Sequence, residues 1–177
     1  MQKKDVVALI AQIQDYPKPG VLFKDVTPIS ANPQAVKYVN EQIADHFKSS
    51  EINKVVGVEA RGFILGASLA TYLNVGFVPI RKQGKLPRQT YRQEYELEYG
   101  VDAIEIHTDA LLPGDRVLIV DDVLATGGTA TAAAKLIEAC GAIPVGIAVL
   151  LNLDFLGGDV KLKASYPEIN ILAVLND

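Results

Sequence analysis

The stretch VLIVDDVLATGGT places two adjacent carboxylates, Asp121 and Asp122, ahead of a loop made of Ala125, Thr126, Gly127, Gly128 and Thr129. The loop half suits a phosphate. A helix opening at the glycines presents unpaired N–H groups and a partial positive charge, the threonine hydroxyls add donors, and glycine lets the backbone come close to an anion. The acidic half repels a bare phosphate, so Asp121 and Asp122 must face a cation or hydroxyl groups, and a ribose diol carrying Mg2+ offers both. One phosphate, one sugar diol and one metal in that order describe a phosphorylated ribose. A Walker loop would need a lysine after the glycines. A dinucleotide fold would set its glycines directly after the strand, without the acidic pair.

Other groups fit the same chemistry. Arg81, Lys82, Lys85, Arg88 and Arg92 gather five of the 17 lysines and arginines into twelve positions of an otherwise acidic chain. Alone, such a cluster reads as a solvated loop. Beside a phosphoribosyl site it reads as recognition of a departing pyrophosphate, which needs fixed positive charge. Arg61, in GVEARGF between a strand end and a helix, offers a guanidinium and neighbouring backbone donors to a second anion. His46 and His107 read as structural.

These residues need a scaffold that brings strand ends together. Residues 54–58 and 76–80 read as short apolar strands around a helix at 63–73. The pattern recurs with strands at 116–120 and 143–151 around a helix at 129–140 closed by Gly141. Continuous apolar strands alternating with helices predict an α/β fold, a doubly wound, mostly parallel sheet flanked by helices. Ligands then bind at the carboxyl ends of the strands, where each motif above falls. A further helix begins at Pro33 behind the N-cap Asn32, with Val36, Val39, Ile43 and Phe47 at helical spacing. Residues 4–14 read as an amphipathic helix broken by DYPKPG, and residues 81–109 as a mobile loop leading into an antiparallel edge strand.

At 177 residues the chain accommodates one domain. Its formal net charge of -4 argues against nucleic-acid binding by bulk phosphate neutralisation. No run approaches the roughly eighteen apolar residues of a membrane span, and the N-terminal stretch lacks the features of a signal peptide. Cys140, the one cysteine, excludes an internal disulfide and suits a cytoplasmic protein.

VLIVDDVLATGGT resembles the phosphoribosyl pyrophosphate signature of type I phosphoribosyltransferases. DYPKPGVLFKDVTP, EARGFILGASLA, VPIRKQGKLP and YELEYG are similar to segments of the members that act on adenine, in the same order over nearly the whole chain. The resemblance implies a single phosphoribosyltransferase domain over residues 1–177, with a small N-terminal base-binding hood (1–30) and a lid (81–100). It also implies a homodimer, Mg2+ as cofactor, and transfer of the 5-phosphoribosyl group from phosphoribosyl pyrophosphate to adenine, giving AMP and pyrophosphate. Arg81, Lys82 and Lys85 would then approach the pyrophosphate together with Arg61, whose loop would carry a strained or cis peptide between Glu59 and Ala60. Phe23 would stack on adenine while backbone groups of Val21, Leu22 and Lys24 read its edge; on spacing alone Phe23 reads equally as a buried core residue. Glu98 would accept or relay the adenine ring proton. Glu94 and Glu96 are not separated from it without the resemblance. Tyr99 would close over the ribose and pyrophosphate, although Tyr91, Tyr95 and Tyr99 read equally as packing for the lid. Hypoxanthine, guanine or xanthine as acceptor is disfavoured by VLFKD and LEYG. A regulator on the same fold would be expected to carry a DNA-binding appendage or to lack the lid segment.

Overall fold

Apolar runs that must be covered on both faces dictate the layering. The computed structural model describes residues 1–97 and 100–176. The chain runs α1 (Lys3–Val7), β1 (Ala11–Gln14), β2 (Leu22–Asp25), α2 (Thr27–Ser30), α3 (Pro33–His46), β3 (Lys54–Val58), α4 (Gly62–Leu73) and β4 (Gly76–Lys82). It continues through β5 (Thr90–Leu97), β6 (Gly100–His107), β7 (Arg116–Leu124), α5 (Gly128–Ala139), β8 (Ile143–Asn152), a 3-10 turn (Asp154–Leu156), α6 (Gly158–Ser165) and β9 (Asn170–Asn176). Among the described residues the main sheet has seven strands in the order β5-β6-β4-β3-β7-β8-β9. β4, β3, β7, β8 and β9 run parallel, and β6 and β5 are antiparallel additions beside β4.

Strand alternation splits the core in two. Val56, Val58, Ile80, Val117 and Ile119 face α5, whereas Val55, Leu118 and Val120 face α3 and α4. As expected, α3 starts at Pro33, and Asn32 accepts hydrogen bonds from the backbone N–H groups of Gln34 (3.0 Å) and Ala35 (3.1 Å). His46 bonds Asn170 at 2.9 Å, tying α3 to β9.

Three sequence expectations are corrected. The helix expected over 4–14 stops at Val7, and Ala11–Gln14 pairs antiparallel with Leu22–Asp25. The DYPKPG turn folds β2 back beside it, with a cis Tyr16–Pro17 bond and Asp15 accepting from the Gly20 N–H at 2.7 Å. Ladder pairing thereby satisfies the backbone of a segment with no buried side chain to hold a helix. Second, the strand expected to end at Val120 continues to Leu124, because β8 runs alongside as far as Asn152. Asp121 and Asp122 therefore lie within a strand. Third, the loop expected from Arg81 is mostly a β5–β6 hairpin; β6 is the interior strand, paired on both sides, and β5 is the edge. Residues beyond Leu151 had no sequence reading. They supply a turn, α6 and the far edge strand.

Candidate active site

The parallel strands β3, β4 and β7 end together, and each end delivers functional groups. β7 carries Asp121 and Asp122 past the end of β3, whose last partner in β7 is Val120. Being adjacent in a strand, the two carboxylates leave on opposite sides. Asp122 turns to Arg61, whose Nε donates to its Oδ2, while Asp121 Oδ1 accepts the backbone N–H of Asp122 at 2.8 Å. Both nevertheless line one cleft of about 430 Å³ with Glu59, Lys82, Tyr95 and Thr129. Desolvation, reinforced by the Asp122 charge, pushes the Asp121 carboxyl well above the usual carboxylate range. Arg61 stays charged against its own desolvation because Asp122, Asp121 and Asp25 surround it.

The chain then turns into α5. Gly127 stands at its N-cap with φ +79, a conformation that glycine adopts without steric cost, and Gly128 opens the helix. Both glycines are hemmed in. A methyl on Gly127 would sit 2.5 Å from the Gly158 carbonyl oxygen, and one on Gly128 would meet the Glu96 carbonyl oxygen at 3.1 Å and the Tyr95 ring at 3.5 Å. Gly158 in turn faces Ala125, so the start of α6 is pressed against the loop. Ala125 and Thr129 line the cleft. Thr126 is exposed on the loop between them.

At the end of β3 the peptide between Glu59 and Ala60 is cis, as the resemblance implied. Glu59 receives the Arg81 guanidinium at 3.0 and 3.1 Å and the Lys82 backbone N–H at 3.0 Å. The Arg81 hydrogen bond holds the Glu59 carboxyl below its ordinary range. Strand alternation sends Arg81 and Lys82 to opposite faces of the sheet. Lys82 enters the cleft, 3.3 Å from Asp102. Arg81 does not line it, and its Nη1 donates to the Lys85 carbonyl at 3.1 Å, so Lys85 is exposed on Arg81's turn. The expected convergence of Arg81, Lys82 and Lys85 is thus reduced, in this cleft, to Lys82. Arg88 pairs with Asp109 and His107, and Arg92 with Glu94 at 2.7 Å. Glu98 and Tyr99 lie outside the described residues.

A second cavity of about 360 Å³ adjoins the first, with Arg61 and Val123 shared in the wall between them. Val21, Leu22, Phe23 and Lys24 form one side. Phe23 is half-buried, packed edge-to-face on Tyr16 with ring centroids 5.1 Å apart, and is not a core residue. The Val21 carbonyl accepts the Tyr16 N–H at 3.2 Å. Leu153, Phe155 and Leu156 also line it, and Phe155 is 76% exposed. These three residues were missed in the sequence. Their signal, a large apolar group repeatedly flanked by polar residues and glycines after a strand, does not say which cavity it walls.

Among the described residues no cluster of three or more metal-ligating side chains occurs. Two carboxylates do suit Mg2+, which keeps waters and takes phosphate oxygens from its substrate.

The description "Phosphoribosyl transferase domain" matches residues 25–167. The chain is 49% identical to an adenine phosphoribosyltransferase of Synechococcus sp., over 97% of this chain and 98% of the relative. It is 54% identical to one of Vibrio vulnificus, over 89% and 87% of the two chains. Among solved structures, adenine phosphoribosyltransferase from Thermoanaerobacter pseudethanolicus superposes with a TM-score of 0.93 at 45% identity, covering 99% of this chain and 100% of the other. That from Saccharomyces cerevisiae, complexed with an imino-altritol bisphosphate and adenine, gives 0.90 at 37% identity, covering 98% of both chains.

Proposed function

The chain belongs to the phosphoribosyl transferase family, and from that premise we propose that it salvages adenine. It is an enzyme of the pentosyl-transfer class that moves the 5-phosphoribosyl group from phosphoribosyl pyrophosphate to adenine, giving AMP and pyrophosphate. The observation that carries this reading is the juxtaposition of an acidic pair and a glycine-rich helix N-terminus in one cleft, with an apolar slot beside it across Arg61.

In this reading the backbone N–H groups of residues 125–129 and the hydroxyls of Thr126 and Thr129 hold the 5'-phosphate at the N-terminus of α5. Asp121 and Asp122 face the ribose diol and would hold Mg2+, which when bound neutralises pyrophosphate charge. Arg61 and Lys82 stabilise the charge that develops on the departing pyrophosphate. Arg81 keeps the Glu59 turn in place. Phe23 stacks on adenine against Leu153 and Phe155, and Glu98 takes the ring proton. Residues 1–30 serve as hood, and the β5–β6 hairpin, with Tyr99, as the lid that excludes water. A homodimer is supported by α4, which has no charged residue yet leaves Ile64 53% and Tyr72 49% exposed. The single free, buried Cys140 suits the cytoplasm.

The test is pyrophosphate release with phosphoribosyl pyrophosphate, Mg2+ and each of adenine, hypoxanthine, guanine and xanthine. Turnover with adenine, well above the other bases, is expected. Absence of turnover with adenine overturns the assignment.

A further inference from the structure

Tyr95 and Asp102 stand directly opposite each other on β5 and β6. Lys82 on β4 pairs with Ile104, two residues from Asp102 and therefore on the same face. Three neighbouring strands thus present a tyrosine, a carboxylate and a lysine side by side toward α5. The contacts are made. Tyr95 donates its hydroxyl to Asp102 Oδ2 at 3.2 Å, and Lys82 Nζ lies 3.3 Å from the same oxygen. Asp102 Oδ1 accepts the Ala103 N–H at 2.8 Å, which fixes the carboxylate. At the other end the Tyr95 ring lies over Gly128, the first residue of α5, and Tyr95 lines the cleft together with the next residue, Thr129.

We propose that Tyr95 and Asp102 are positioning residues for phosphoribosyl pyrophosphate: Tyr95 packs on the first turn of α5 at the 5'-phosphate end of the cleft, and its hydrogen bond to Asp102 fixes the carboxylate that holds Lys82 at the pyrophosphate end. The proposal rests on the assignment of these two ends given above. Thr129 is a short side chain on the first turn of a helix, and Lys82 a long one at a strand end. Without an anchor Lys82 samples many rotamers, and ordering it on binding costs entropy. With Asp102 in place the ammonium is already in the cleft, and Tyr95 sets its distance from the phosphate loop. Adenine is bound in the other cavity, which neither residue lines. The pair should therefore tune one substrate and spare the other.

The experiment is steady-state kinetics of the full chain and of Tyr95→Phe, Asp102→Ala and Asp102→Asn, with both substrates varied. Tyr95→Phe and Asp102→Ala should each raise KM for phosphoribosyl pyrophosphate about tenfold and lower kcat, because Lys82 also faces the departing pyrophosphate, while leaving KM for adenine within about twofold. Asp102→Asn, which keeps an oxygen acceptor for Tyr95, should recover part of the loss. The double variant Tyr95→Phe/Asp102→Ala should lose less than the product of the single effects, because the pair acts as a unit. An unchanged KM for phosphoribosyl pyrophosphate in Tyr95→Phe overturns the proposal, as does an equal rise in both KM values. If Asp102→Ala does not fold, Tyr95→Phe and Asp102→Asn decide the matter. Inactivity of the unsubstituted chain would instead overturn the assignment of function.

Discussion

A single position along a strand decides what each charged residue in this site can do. Asp121 and Asp122 share one signature, yet one is desolvated beside α5 and the other is bound to Arg61. Arg81 and Lys82 look like one basic pair, yet only Lys82 reaches the cleft. The same sensitivity operates away from the site. Tyr166 donates to Glu138 at 2.9 Å, and desolvation, with that carboxylate beside it, pushes the phenol up to about 12. A raised folded-state value means that the folded protein keeps the proton more tightly, so this contribution to stability is full below the unfolded tyrosine range near 10 and is lost as pH rises from there toward 12. Denaturant unfolding between pH 9 and 12 should accordingly show the wild type losing more stability than Tyr166→Phe. Parallel profiles would contradict it.

At the scale of elements, the phosphate loop is shaped as much by what leans on it as by its own residues. β5 crosses over Gly128, and the segment from Asp154 to Gly158 does two tasks: Phe155 and Leu156 line the second cavity and Gly158 braces the loop. A methyl at Gly158 would lie 2.2 Å from the Ala125 carbonyl oxygen and 2.8 Å from the Gly127 nitrogen, both backbone atoms with no room to yield. Gly158→Ala should therefore destabilise the fold by about 1–3 kcal/mol and weaken ribose 5-phosphate binding measured by calorimetry. Gly157→Ala is the control. Its residue has φ +62 with nothing within 4 Å, so it should cost about 1–2 kcal/mol through backbone conformation alone and leave ribose 5-phosphate affinity intact. Equal affinity losses in both variants would rule out the brace.

Over the whole molecule, the sheet order places β3 at the centre with β4 and β7 on its flanks, so the Arg61 loop sits between Lys82 and the acidic pair. α4 follows that loop and carries the uncharged, partly exposed face that supports a dimer. Sedimentation equilibrium should give twice the 19.1 kDa chain mass. A double substitution, Ile64→Glu with Tyr72→Glu, should return the single-chain mass. A wild-type monomer at micromolar concentration would contradict the dimer.

The parallel sheet and the α3 cap were legible in the sequence because each is a local matter of hydrophobic period or side-chain capping, and residues 121–129 could be read for phosphate-and-diol chemistry because they lie within a short stretch of chain. The sequence suggested a phosphate-loop role for Gly128 but not its neighbours Tyr95 and Glu96, which come from a strand more than thirty positions earlier. The extension of β7 through its aspartates depended on β8, nearly thirty residues later, while the β1–β2 ribbon and the β5–β6 hairpin depended on ladder pairing between neighbouring strands that overrode the local pattern. Composition placed five cations near the site; only the alternation of β4 and the ion pairs made across the sheet decided which of them faces it. The sequence alone determined which ligand chemistry this protein is built for. Tertiary register decided which side chains meet it, because a shift of one residue along a strand moves a side chain to the other face.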